Sequence, residues 1–270
     1  MCNWLARQET VTASALNDRT DGKLVYLDLV RSDRHNMDAV RIRKYDPEED
    51  AEAVREIFTM GMSEQVPSAF MHILKQPPTQ MVLMCVFCAL LTSSKSLLLP
   101  VLTVTLLLAG VRQLACHITK KYVDSCLASD LGRIADAYLA SKDTCFWVAE
   151  SDDGSVVGMV ACVPAQEANG GGGVMPGCAQ LKRMSVRRSH RRMGVGTALC
   201  RTAVAFARER GFPAVVLRTS VLMTDAQLLY RRAGFAETRQ IPVPTFLAKV
   251  LNFSLVEYRL DVAQQDDHRD

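Results

Sequence analysis

Leu181-Lys-Arg-Met-Ser-Val-Arg-Arg-Ser-His-Arg-Arg-Met-Gly-Val-Gly-Thr-Ala-Leu-Cys200 is the stretch that decides the fold. Its first third, Leu181 to Val186, reads as a strand. From about Gly194 the pattern changes to a helix that runs to Arg210, with Ala198, Leu199, Thr202, Ala203, Ala205 and Phe206 on a packed face. Gly211 is placed to cap that helix and Pro213 to stop it. A strand, a glycine-containing turn and a helix N-terminus in that order make an anion cradle. Small residues let the backbone approach, free N–H groups point outward, and the helix dipole favours negative charge. Arg187, Arg188, Arg191 and Arg192 add positive charge around the turn. The size suits a pyrophosphate. Neither a Walker G-K-[ST] nor a Rossmann G-x-G-x-x-G is present.

Outward from this stretch the chain alternates between the two periods. On its N-terminal side Cys145 to Glu150 and Val156 to Val163 are apolar strand runs, joined by Ser151-Asp-Asp-Gly154, a hairpin signal. Gln166 to Gly177, with Gly170 to Gly173 in a row, reads as a loop. On the C-terminal side Ala214 to Leu217 is a strand and Thr224 to Arg232 a short helix ended by Gly234-Phe235. The remainder alternates as strands, most clearly from Ser254 to Leu260. The resulting β-β-β-α-β-α-β order is an α/β architecture.

Composition narrows the class. The chain has 270 residues, 49% hydrophobic and 23% charged, which excludes bulk disorder and allows a core without staples. Its 32 Lys+Arg against 29 Asp+Glu leave no concentrated basic excess, so no nucleic-acid partner is expected. Nine cysteines, an odd number, several within apolar runs, point to reduced thiols rather than a disulfide framework. Cys85-x-x-Cys88 lacks a second Cys/His pair and reads as two thiols on an apolar helix. The five histidines are scattered, so no metal site is expected.

Mean hydropathy is high, +0.05, and its source is Met81 to Val111. That segment carries a single charge, Lys95. It divides into arms Met81–Thr92 and Leu97–Val111 around Ser93-Ser94-Lys95-Ser96. As helices the arms reach about 18 and 22 Å, short for a bilayer core of about 30 Å. A shallow or re-entrant membrane hairpin fits best; a helix pair buried in a soluble core is the alternative. Lys75 before it, and Arg112, Lys120 and Lys121 after it, put both flanks in the cytosol. Residues 1–39 read as a flexible segment without a secretory signal, 40–262 as the folded domain with the insert 81–111, and 263–270 as a tail.

Leu181-Lys-Arg-Met-Ser-Val186 followed by Arg191-x-x-Gly194-x-Gly196 resembles the acetyl-CoA motif of the GNAT superfamily of N-acetyltransferases. Ala226-Gln-Leu-Leu-Tyr230-Arg-Arg-Ala-Gly-Phe235 resembles its second motif. Ile42 to Asp50 is similar to the family's first strand and turn. With the apolar hairpin, Asp130 to Tyr138 and Cys145 to Glu150, the pattern resembles the camello-type membrane enzymes, which include cysteine S-conjugate N-acetyltransferases of the endoplasmic reticulum and the aspartate N-acetyltransferase. The resemblance implies a GNAT fold: a mixed central sheet flanked by helices. Because one strand precedes the insert and the others follow it, both ends of the insert then lie on one side of the membrane.

The same resemblance implies the site. Acetyl-CoA would be held by Arg191, Arg192, Met193, Gly194, Val195 and Gly196 at the pyrophosphate and by the backbone of Met184 and Val186 along the pantetheine. A strand N–H near Met184 would stabilise the thioester oxygen. Tyr230 matches the general acid. Gln180 stands where a family base is often Glu, so no base is assigned. Arg183 or Arg218 would grip the carboxylate of a small amine substrate. The expected activity is acetyl transfer to a cysteine S-conjugate or similar amino acid, with aspartate, protein lysine, or a non-catalytic CoA-binding scaffold as alternatives. Asn252-Phe-Ser254 fits a glycosylation acceptor that should go unused in a cytosolic strand.

Overall fold

The computed structural model describes residues 40–94, 96–165 and 177–262. The segment 1–39, Lys95, most of the glycine-rich loop and the tail 263–270 lie outside the described residues.

Seven strands form one sheet in the order β1-β2-β3-β4-β5-β7-β6. They are β1 Arg41–Lys44, β2 Cys145–Glu150, β3 Val156–Pro164, β4 Ala179–Val186, β5 Ala214–Ser220, β6 Ala236–Pro242 and β7 Ser254–Asp261. Every pairing is antiparallel except β4–β5, which is parallel. The crossover between those two strands is α5 Val195–Glu209, as the sequence reading requires. Together with α6 Thr224–Arg232 it covers one face of the sheet, where Trp147, Val160, Leu199, Ala203, Leu217 and Tyr258 form the larger core. The other face packs α1 Ala51–Ser63, the end of α4 Leu98–Ala128 and a π-helical turn Ala135–Leu139, around Ile57, Phe58, Val123, Leu131, Phe146 and Met159. Alternation along β2 divides the cores, since Phe146 and Val148 enter one and Trp147 and Ala149 the other.

Between β1 and β2 the chain builds α1, α2 Val66–Lys75, α3 Pro77–Ser94 and α4. The helices of the insert exceed the expected arms. The first begins at Pro77 rather than Met81, and the second runs through Val111 to Ala128. At 1.5 Å per residue they measure about 27 and 46 Å, longer than the expected arms of about 18 and 22 Å. Pro100 does not break α4, because it stands in the first turn, where no N–H is needed. Both helices are long and apolar enough to span a membrane by length and composition. The apolar window of α3 has no buried residue, and Met81, Val82, Met84, Leu98, Val101, Leu102 and Leu106 are all exposed. β1 and β2, which flank the insert, are hydrogen-bonded neighbours, so both ends of the insert return to the same edge of the sheet. Cys85 and Cys88 are free, exposed thiols on α3.

Two local readings change. The last segment is not all strand, since α7 Phe246–Val250 interrupts it. Asn252 therefore lies in the turn before β7, with φ +49°, rather than in a strand.

The edge strand β1 is anchored by charge. Arg43 sends Nη1 and Nη2 to the Asp50 carboxylate at 2.6 and 2.8 Å and Nε to Glu150 of β2. Asp50, only 1% exposed, also accepts the Asp46 N–H at 2.7 Å and precedes the first turn of α1. One guanidinium thus ties strand, neighbouring strand and helix start. Arg43→Ala leaves the buried Asp50 carboxylate unpaired, and chemical denaturation should show a loss of about 3 kcal/mol. An unchanged midpoint would mean that water replaces the guanidinium without cost.

Candidate active site

The site begins with an irregularity in β4. Against β3 the register runs Met159–Ser185 and then Ala161–Lys182, so Val160 faces two residues, Arg183 and Met184. This is a β-bulge, and Arg183 adopts φ +55° within it. Against β5 the pairing covers Ala179–Val215, Gln180–Val216 and Leu181–Leu217 and then stops. From Lys182 onward β4 and β5 are no longer paired, and the sheet opens between them. β4 ends at Val186 and leads into the turn before α5.

The bulge is held from the α1/α4 face. Arg183 Nε and Nη2 donate to Asp130 Oδ2 and Oδ1 at 2.8 and 2.7 Å, and Nη1 donates to Cys126 Sγ at 3.1 Å. Its guanidinium carbon sits 5.2 Å from the Phe58 ring centroid. Tyr138, in the π-helical turn, donates its hydroxyl to Asp130 as well. Burial works against the Asp130 charge, but the Arg183 and Tyr138 hydrogen bonds outweigh it and hold the carboxyl below its ordinary range.

The turn after β4 leaves the first N–H groups of α5 without a side-chain cap. A short 3-10 turn, Arg188–His190, leads to Arg192 at φ +65° and Gly194 at φ +83°. Gly194 caps α5 without a side chain, and the first intrahelical bond is Ala198 N–H to Gly194 O at 3.0 Å. The N–H groups of Val195, Gly196 and Thr197 precede that bond, and no acidic residue occupies the first turn. A side chain at Gly196 would bring its Cβ within 2.7 Å of Leu229 Cδ1, so α5 approaches α6 closely here. Arg191 is used within the chain: Nε donates to Val186 O at 3.0 Å and Nη2 pairs with Glu64 at 2.6 Å. Arg187 likewise pairs with Glu56 at 2.6 Å. Arg188 and Arg192 are exposed, and among the described residues neither makes an ion pair.

On the α5/α6 face Tyr230 stands over the split. Its hydroxyl donates to Met184 Sδ at 3.4 Å, and its ring packs edge-on to Phe235 at 5.9 Å. Burial, with Cys200 nearby, raises its pKa well above the phenol range, so the hydroxyl keeps its proton. Tyr230, Met184, Val186 and the start of α5 therefore meet, although the sequence separates them by up to about 45 residues.

The two expected carboxylate grips are placed differently from that reading. Arg183 is bound to Asp130, and Arg218 Nε pairs with Glu257 at 2.8 Å. Each guanidinium thus already holds a carboxylate of its own chain. Gln180 lies in the paired part of β4, before the split. The bulge itself had no sequence signal, because arginine is not a residue type that marks positive φ. Among the described residues no cluster able to hold a metal ion is found.

A model described as Acetyltransferase (GNAT) family matches residues 113–235. N-acetyltransferase 8F1 of Rattus norvegicus is 41% identical over 199 residues, 74% of this chain and 87% of that protein. N-acetyltransferase family 8 member 3 of Mus musculus is 36% identical over 225 residues, 83% of this chain and 96% of its own length. N-acetyltransferase 8 of Rattus norvegicus is 39% identical over 202 residues, 75% and 88% of the two chains.

Gly194→Val puts a β-branched residue at a left-handed φ and crowds the mouth of the turn. Equilibrium binding should show affinity for CoA reduced at least about tenfold. Retained affinity would move the pyrophosphate away from this turn.

Proposed function

This chain belongs to the acetyltransferase (GNAT) family and is an acetyl-CoA-dependent N-acetyltransferase akin to the family 8 members, and from that membership we propose a membrane-bound enzyme acetylating the amino group of cysteine S-conjugates. The observation that carries the reading is the meeting of three features at one split: an uncapped helix N-terminus, the unpaired end of β4, and a buried tyrosine hydroxyl.

In this reading the N–H groups from Arg192 to Gly196 receive the pyrophosphate of acetyl-CoA, and exposed Arg188 and Arg192 add charge to its approach. Arg191 serves the turn indirectly, by fastening it to Val186 and Glu64. The backbone of Met184 and Val186 lies along the pantetheine, where the split leaves β4 without its β5 partner. A β4 N–H at the bulge stabilises charge on the carbonyl oxygen. Tyr230 supplies a proton to the sulfur that leaves. Its raised pKa suits that task, because the proton is still present when the sulfur needs it. The acceptor amine approaches from the opposite face, past Lys182, Arg183 and Arg218.

The apolar helices support membrane attachment through 81–111. An apolar S-substituent would reach a site seated at the lipid surface easily, whereas free aspartate gains nothing from one. The basic flanks, Lys75, Arg112, Lys120 and Lys121, favour a catalytic domain facing the cytosol, and the endoplasmic reticulum is the membrane we assign.

The test is acetyl transfer in membranes carrying the chain, with S-benzylcysteine, aspartate and a lysine peptide compared by CoA release. Preference for S-benzylcysteine is the expected result; preference for either of the others replaces the acceptor. Tyr230→Phe should lower kcat by about 10- to 1000-fold and leave CoA affinity nearly unchanged. Equal turnover would remove Tyr230 from the acid role. The wild-type kcat profile should show no loss attributable to Tyr230 up to about pH 10, the ordinary phenol pKa, since its proton is held beyond that point.

A further inference from the structure

Lys182 occupies a distinctive place in the split. It is the first residue of β4 beyond the last paired rung, Leu181–Leu217, and Arg218 is the first of β5 beyond it. Both point to the face opposite Tyr230. Lys182 shares that face with its β3 partner Ala161, part of the α1/α4-side core, while Leu181 belongs to the α5-side core with Tyr230. Lys182 is also the part of this neighbourhood that lacks a counter-charge. Arg183 has Asp130, and Arg218 and Arg239 share Glu257. Among the described residues no carboxylate lies within ion-pair distance of the Lys182 ammonium. Among the described residues, Lys182 is thus the member of this group without a carboxylate partner, and it is half-buried.

Such a group is costly as it stands. Burial pushes the Lys182 pKa down, Asp130 counters this, and Arg183 and Arg218 push it further down. An ammonium without a partner is kept at an internal mouth only at the expense of stability, and an incoming anion would relieve the cost. On the face away from the donor-binding turn, that anion belongs to the acceptor.

We propose that Lys182 is the specificity-determining residue of the acceptor site, receiving the carboxylate of an amino-acid acceptor and so turning its amine toward the split. This rests on the acyl-transfer reading of the site. Arg183 and Arg218 then act as walls: their own carboxylates hold them in place, and the acceptor meets the one cation still open to it. The same arrangement disfavours acceptors that lack an anionic group, such as a lysine within a peptide, because they would leave the ammonium unpaired beneath them.

The test compares S-benzylcysteine with S-benzylcysteamine, its analogue without the carboxylate, in the full-length protein in membranes. The wild type should favour S-benzylcysteine in kcat/KM by about tenfold or more, as expected of a half-buried charge-assisted contact. Lys182→Gln should erase most of that ratio through KM, and Lys182→Arg should keep a substantial part of it. CoA affinity should be the same in all three, which also reports that the variants fold. A ratio unchanged in Lys182→Gln overturns the assignment, as does a wild type with no preference while turnover persists; in both cases acyl transfer itself stands. Failure to acetylate either amine, with a peptide accepted instead, sinks the acceptor reading. Binding of N-acetyl-S-benzylcysteine, measured by calorimetry, then still decides on Lys182: binding weakened in Lys182→Gln supports it, and binding equal to wild type or absent overturns it.

Discussion

The bidentate pair between Arg183 and Asp130 is the interaction on which the site depends. A non-glycine residue at φ +55° costs on the order of 1 kcal/mol against an ordinary strand conformation, and it persists only where its surroundings hold it. Here the holding groups come from three directions: the Asp130 carboxylate after α4, the Cys126 thiol within it, and the Phe58 ring from α1. Tyr138 closes the arrangement by bonding the same carboxylate. The bulge that results bends β4 away from β5, so that a parallel pair begun at Ala179 ends at Leu181. An uninterrupted β4–β5 ladder would close the split beside Met184 and Tyr230.

That constraint explains why the two faces do different work. The bulge turns Met184 toward Tyr230 and α5, and leaves Lys182 and Arg183 toward α1 and α4. One side thereby presents the N–H groups that open α5 and a protonated phenol. The other is lined with cations, two of which are neutralised by their own carboxylates. The apolar insert is continuous with this second side, because α4 ends in the same helix turns that place Val123 and Cys126 beneath the sheet and pass directly to Asp130. A single helix therefore links the exposed apolar surface to the residue that fixes the bulge.

Much of the fold was legible in the sequence where local physics decides it. The strand–turn–helix of Leu181 to Arg210, the Asp-Asp-Gly hairpin and the helix Thr224–Arg232 lie within a residue or two of their expected places, since period, capping glycines and prolines act over a few residues. Helix ends in the insert were less legible. Apolar composition marks where lipid or core is sought, not where a helix stops, so α3 starts before the apolar run at Pro77 and α4 continues through charged residues to Ala128. The short helix α7 carried no decisive pattern over its five residues.

The candidate site divides along the same line. By itself the sequence determined the glycine-containing turn after β4, the glycine at Gly194 that opens α5, the helix that carries Tyr230 and the two-armed apolar insert, because each is a local pattern with a local cause. Only the tertiary structure decided that Arg183 and Arg218 are spent on Asp130 and Glu257, that Arg191 braces the turn against Glu64, and that Lys182 stands at the first open rung with no counter-ion among the described residues. Those facts depend on partners 39 to 127 residues away along the chain, and on a bulge that arginine does not advertise. Ion pairing over such separations is set by which strands become neighbours, and that is a property of the whole sheet.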